Sequence, residues 1–209
     1  MKDNLIITIG RQFGSGGREI GKILAEMLNL KYYDKELILE ASKASGLCPE
    51  CFEKVDEKAP NRFLNALSKG WLSGASGIPA VNEWSDEMIF KVQSDVIRDI
   101  ATKHPAVIVG RCADYILRAH PGCISVFVHA NTDDCVRRIV ERNEGVKENE
   151  ARDLTQKRNK IRAAYYNFYT DKVWGDGASY DLCINTSKIS TKEAAEIIAD
   201  FARRTLRQG

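Results

Sequence analysis

A chain of 209 residues is ample for one hydrophobic core and short for two, so a single domain over 1–209 is expected. Its composition, 44% hydrophobic and 29% charged, is that of an ordinary globular protein, and a formal net charge of +2 gives little footprint for nucleic acid. No apolar run approaches the ~20 residues of a membrane span, and a strand pattern starts too early for a secretion signal. A cytoplasmic protein with no membrane or nucleic-acid partner is therefore expected.

Leu5-Ile6-Ile7-Thr8-Ile9 reads as a buried strand. Gly10-Arg11-Gln12-Phe13-Gly14-Ser15-Gly16-Gly17 follows as a glycine-dense loop, and Ile20, Ile23, Leu24, Met27 and Leu28 then recur at helical spacing. Strand, glycine loop, helix is the order in which parallel α/β proteins cradle phosphate. Gly14, Gly16 and Gly17, with Ser15 between them, let successive backbone N–H groups converge on an anion beside the positive end of the helix dipole. Set against a Walker A loop, Gly17 stands at the lysine position and Arg18 at the Ser/Thr position. That costs the loop a phosphate cation and the usual Mg²⁺ ligand. Arg11, Arg18 and Lys22 are the positive charges at hand. By itself the loop signals an anion, with a turn that binds nothing as the alternative.

Leu30–Tyr33 reads as a short strand ending at Asp34, with a helix over 35–45. Residues 46–84, with Pro49, Pro60 and Pro79, break the alternation and read as a helical excursion, either a substrate-binding flap or a homodimer contact. A helix over 85–103 leads into Ala106–Gly110, a run of the buried parallel-strand type. Arg111 emerges from it at the rim, where a guanidinium grips a phosphate with two parallel hydrogen bonds; a salt bridge to Asp114 is the competing reading. Ile124–Val128 is a fourth strand, 132–143 a helix carrying Arg138 and Arg142, and Leu182–Asn185 a fifth strand before a helix over 191–207. Strands separated by helical crossovers predict a parallel five-stranded sheet with helices on both faces, and ligands beyond the carboxyl ends of its strands.

The second excursion, 146–179, is dense in charge and ends in tyrosines. Arg158 and Arg162 lie four apart and share a helix face. An arginine-bearing lid is what phosphoryl transfer needs, since positive charge and exclusion of water carry most of its catalysis. The competing reading is a solvated helix paired with Glu148, Glu150 and Asp153. Of the six cysteines (Cys48, Cys51, Cys112, Cys123, Cys135, Cys183), Cys123, Cys135 and Cys183 lie within strand- and helix-like runs and read as small hydrophobes. No protein-held metal is expected, because the C-x-x-C at Cys48–Cys51 has no second pair at zinc-site spacing.

In this order the GSGG loop, the Tyr-Tyr-Asp and Val-Gly-Arg strand ends and the arginine-rich segment resemble the cytidylate kinase-like family of P-loop nucleoside monophosphate kinases. The resemblance spans Ile6 to about Phe201. It implies a three-layer P-loop fold with a helical acceptor-binding excursion and a lid, and transfer of the ATP γ-phosphoryl, with Mg²⁺, to a CMP-type acceptor. It implies phosphate binding by the 10–18 loop, with Arg11, Gly14, Ser15, Gly16, Gly17 and Arg18. It gives Arg111 to the acceptor monophosphate and Arg158 and Arg162, as catalytic residues, to both nucleotides' phosphates; beside them Asp34 and Asp114 are expected at the acceptor, and Arg18, a departure from the family, among the catalytic residues. Asp34 also suits a plain N-cap of the following helix. The missing lysine leaves a catalytically silent nucleotide-binding protein, or a kinase of another small phosphorylated metabolite, as alternatives.

Overall fold

The computed structural model describes residues 5–38, 86–143 and 145–208. The expected excursion over 46–84, the Cys48–Cys51 pair and the helix at 35–45 beyond residue 38 lie outside them. In chain order the elements are β1 (Ile6–Arg11), α1 (Gly17–Leu28), β2 (Lys31–Tyr33), α2 (Asp86–Lys103), β3 (Ala106–Val109), α3 (Ala113–Ile116), β4 (Cys123–His129), α4 (Thr132–Arg142), α5 (Glu148–Tyr169), β5 (Leu182–Asn185) and α6 (Thr191–Gln208).

The five strands form one parallel sheet in the order β2-β3-β1-β4-β5. β1 sits at its centre, paired with β3 from Ile6 to Ile9 and with β4 from Ile6 to Arg11. Alternate residues of each strand point to opposite faces, so the sheet separates two cores. Ile7, Ile9, Val107, Val109, Val126 and Val128 pack beneath α1 and α6, against Ile20, Leu24, Ile198 and Ala202. Ile6, Ala106, Ile108 and Phe127 pack on the other face against Val96, Ile97 and Ile100 of α2 and Ile116 of α3. This is the expected α/β sheet with helices on both faces. No helix among the described residues is long and apolar enough to cross a membrane.

Two boundaries differ from the sequence reading. Gly10 and Arg11 belong to the strand rather than the loop, because β4 runs on to His129 and keeps offering partners, Gly10 to Phe127 and Arg11 to Val128. The arginine-rich part of 146–179 is one 22-residue helix, α5, whose polar faces concealed its continuity. Val136, Ile139 and Ala151 form a third small cluster joining α4 to α5, with Phe13 packed against it.

Candidate functional site

The site lies at the carboxyl ends of β1 and β3, covered by α5. The loop over 12–16 is held from below. Ser15 Oγ donates to the carbonyls of Gln12 (2.9 Å) and Val128 (3.1 Å), and Thr186 Oγ1 donates to the Ser15 carbonyl at 2.8 Å. Gln12 Oε1 accepts from the Ala130 N–H at 3.1 Å. Gly14 and Gly16 take φ of 82° and 83°, the left-handed conformation that glycine adopts without strain. The N–H groups of Gly14, Gly16, Gly17 and Arg18 find no acceptor among the described residues; the first helical bond runs from Ile20 N–H to the Gly16 carbonyl. Free N–H groups gathered at a helix N-terminus are an anion site. A Cβ at Gly14 would lie 2.6 Å from the Cys135 carbonyl oxygen, on top of its unfavourable φ. Gly14→Ala is therefore expected to destabilise the fold by about 2 kcal/mol or more, read from the urea midpoint, and to weaken phosphate binding.

Four arginines surround this loop. Arg11 and Arg111 rise from the ends of β1 and β3, and Arg158 and Arg162 come from α5. None of the four forms an ion pair with a carboxylate among the described residues. Elsewhere Arg98, Arg137, Arg152 and Arg204 each pair with an acid and Arg142 pairs with Glu19, while Arg118 and Arg138 are held by Tyr115 and Thr186 instead. Arg111 Nη1 donates to Gln93 Oε1 of α2 at 3.2 Å, and Arg162 Nη1 donates to the Arg11 carbonyl at 3.1 Å. The Arg162 guanidinium also lies 5.5 Å from the Phe13 ring centre. Burial, then the Arg111 charge, pushes the Arg11 guanidinium down to about 10; burial, then Arg11 and Arg158, pushes Arg162 down to about 9. Both are cations at neutral pH, held together against their repulsion.

The strand end that carries Arg111 is unusual. Gly110, Arg111 and Cys112 take φ of 83°, 59° and 54°, three left-handed residues in a row. Arginine and cysteine pay steric strain there, of the kind that collects at functional sites. The turn is closed by Ala113 N–H donating to the Gly110 carbonyl at 3.2 Å.

Other expected site residues are placed differently. Arg18 points at acids rather than at the loop: its guanidinium lies 2.7 Å from Asp34 Oδ2 and 2.8 Å from Glu36 Oε2. Asp34, besides holding Arg18, accepts from Tyr32 Oη and from the Leu37 N–H, so it caps the helical turn over 35–38. Burial raises the Asp34 carboxyl, but the Arg18 hydrogen bond and the Leu37 N–H outweigh it and hold the group below the usual carboxylate range. Asp114 makes no salt bridge to Arg111; it is buried and accepts from Tyr166 Oη at 2.6 Å. Arg138 donates to Thr186 Oγ1 and to the Thr186 carbonyl.

Two contributors escaped the sequence reading. Asn159 Oδ1 accepts from the Phe13 N–H at 2.7 Å, tying α5 to the loop, and Gln93 orients Arg111. Asn159 was in reach of sequence reasoning, being three residues before Arg162 on the same face. Gln93 carries no local signal.

The model of the cytidylate kinase-like family matches residues 6–188, which include every strand and the whole site. The chain belongs to the cytidylate kinase-like family. A cytidylate kinase from Methanosarcina barkeri (strain Fusaro / DSM 804) is 26% identical over 193 residues, covering 92% of this chain and 93% of the relative. Among solved structures, an uncharacterized protein from Eubacterium ventriosum ATCC 27560 superposes with a TM-score of 0.72 at 33% identity, over 95% of this chain and 98% of that one. A shikimate kinase from Bacteroides thetaiotaomicron has a TM-score of 0.54 at 14% identity, over 95% of this chain and 98% of that one, and shares the fold. This cytidylate kinase-like chain is therefore a kinase-like protein of the P-loop α/β class.

Proposed function

We propose that the chain is an ATP-dependent phosphotransferase acting on a (d)CMP-type nucleoside monophosphate. The observation that carries this reading is the group of four arginines without acidic partners, gathered over a loop whose N–H groups are free. A protein holds such charges together at a cost that a polyanion removes. In this mechanism the N–H groups of Gly14, Gly16, Gly17 and Arg18 hold the ATP phosphates. Arg111, kept in place by Gln93 and the left-handed turn, grips the acceptor monophosphate. An acceptor phosphate oxygen attacks the γ-phosphorus, the bond to the β,γ-bridging oxygen breaks, and ADP leaves with the acceptor as its diphosphate. Arg158 and Arg162 neutralise the charge spread over the moving group. Mg²⁺ would travel with ATP and supply further charge neutralisation on its phosphates. The acceptor's base rests on the family resemblance and the cytidylate kinase relative alone.

The test is ADP formation by the purified protein with ATP and Mg²⁺, in the presence of CMP, dCMP, UMP, AMP or GMP. Stimulation by CMP or dCMP is expected. ATP binding by calorimetry with no ADP from any acceptor would favour the second reading, a catalytically silent nucleotide-binding protein. Gly17 and Arg18, at the places of the Walker lysine and hydroxyl, are the feature that speaks for it. ADP formation indifferent to nucleoside monophosphates would point to another small phosphorylated metabolite.

A further inference from the structure

The Walker pattern G-x-x-x-x-G-K-[ST] lies over residues 11–18 of this chain. Its second glycine is Gly16, its lysine position is Gly17, and its first glycine position is Arg11. Two of its fixed positions have thus been exchanged: a cation stands where glycine belongs, and glycine where the cation belongs. The structure makes the two changes one. A Cβ added at Gly17 would lie 2.6 Å from Arg11 Cβ and 3.0 Å from Arg11 Cγ, so the Arg11 stem occupies the volume that a side chain at 17 would enter. Farther along, a Cβ at Gly110 would lie 2.2 Å from Arg11 Nη1 and 2.9 Å from Cζ. The side chain therefore runs from the start of α1 to the end of β3. Its guanidinium has no hydrogen bond or ion pair among the described residues, and its stem lies against the first residue of α1, whose N–H is free.

We infer that Arg11 takes over the phosphate contact of the missing Walker lysine, and that Gly17 and Gly110 are glycines because the Arg11 side chain passes over both. The inference rests on the phosphotransferase reading for its ligand, a nucleoside triphosphate. It assigns the role to Arg11 and withholds it from Arg18, whose charge is already met by Asp34 and Glu36. A guanidinium differs from an ammonium in presenting two parallel donors. Lying between the N-terminus of α1 and the turn that carries Arg111, it is placed to hold one oxygen of the donor phosphates and one of the acceptor phosphate. A lysine rising from position 17 would reach the donor side only.

The exchange can be run backwards. Binding of inorganic tripolyphosphate and of ATP is measured by calorimetry, and folding by circular dichroism, for the native chain, Arg11→Met, Arg11→Gly, Gly17→Lys and the double change Arg11→Gly with Gly17→Lys. Arg11→Met keeps most of the stem and should weaken tripolyphosphate by about 10- to 100-fold, the usual loss for a charge-assisted contact. Gly17→Lys alone should weaken it too, because the new side chain displaces Arg11. The double change should recover binding to within about tenfold of the native chain. Arg11→Met binding tripolyphosphate as tightly as the native chain would overturn the assignment. So would a folded double variant no better than Arg11→Gly, or a native chain that binds no tripolyphosphate.

The same series separates this inference from the one it rests on. Arg11-dependent binding without ADP formation from any acceptor sustains the role of Arg11 and defeats the kinase reading. Full turnover in Arg11→Met does the reverse.

Discussion

Replacing Arg162 by methionine should lower kcat by about 10²-fold or more while changing the dissociation constant for ATP by only a few-fold. The split follows from position. Arg162 comes from α5 and reaches the site over the edge of the loop, through the Arg11 carbonyl and the Phe13 ring, whereas ground-state ATP has the loop N–H groups to hold it. A charge delivered from α5 matters most when negative charge spreads over the transferring group. Unchanged kcat would return Arg162 to an ordinary solvated-helix residue.

The same substitution should leave the ligand-free protein at least as stable as the native chain, as read from its Tm. Burial, then Arg11 and Arg158, pushes the Arg162 guanidinium well below its ordinary range, to about 9. The folded value lies below the unfolded one, so the group binds its proton less tightly when folded. Below about pH 9 it is charged in both states and the full cost is present; as pH rises through 9 the folded form sheds its proton first and the cost falls. At pH 7, then, methionine removes a destabilising charge and retains an apolar stem near Phe13. Pyrophosphate should raise the Tm of the native chain more than that of the variant, since the anion relieves a repulsion the variant no longer has. A variant that loses both activity and stability would mean that the hydrogen bond to the Arg11 carbonyl outweighs the repulsion. Stability sacrificed to keep unpaired charge in place is the expected mark of a binding site.

The sheet was legible because each of its strands is a short apolar run closed by a glycine, a charge or a turn, as in Ala106–Val109 before Gly110-Arg111. The helices with a clear apolar stripe, α1 and α6 above all, were legible for the same reason: Ile20, Leu24 and Leu28 fall on one face and on one core. What escaped is what depends on partners distant in sequence. Arg11 reads as a loop residue until β4 is seen to extend to His129 and hold it in the sheet. Arg18 reads as a phosphate ligand because it occupies the Walker hydroxyl position, yet Asp34 and Glu36, on the next strand end and turn, claim it first. Nothing in the order of residues says that Arg11, Arg111, Arg158 and Arg162 have no acid beside them, because pairing is a property of the fold. The glycines at 17 and 110 carried a signal that could not be interpreted without knowing which side chain lies over them.

Tyr166→Phe should lower stability at pH 7 and Asp114→Asn should not, although both change the same hydrogen bond. Asp114 is 8% exposed and sits two residues beyond the strained turn that carries Arg111; Tyr166 belongs to α5 and donates to it at 2.6 Å. Burial raises the Asp114 carboxyl above its ordinary value, with the Tyr166 hydrogen bond opposing that shift only in part. The sign follows: a carboxyl raised on folding costs the folded state nothing below its unfolded value. The cost grows as pH rises past that value and is complete above the folded one. Asp114→Asn deletes the charge but keeps an oxygen to accept from Tyr166, so stability at pH 7 should hold or rise. Tyr166→Phe takes the side-chain donor from a buried carboxylate and leaves it its backbone donors, which costs about 3 kcal/mol for a charged acceptor. In a chain of this size that corresponds to a fall in Tm of roughly 6–12 °C. The deficit should shrink as pH falls and Asp114, raised above its ordinary value, takes up a proton. Because this bond joins α5 to the segment just past the Arg111 turn, Tyr166→Phe should also raise the acceptor's KM more than it lowers kcat. The acceptor-binding expectation for Asp114 predicts otherwise: if Asp114→Asn abolishes stimulation by CMP while the fold is as stable as before, the carboxylate serves the acceptor directly and Tyr166 merely aims it.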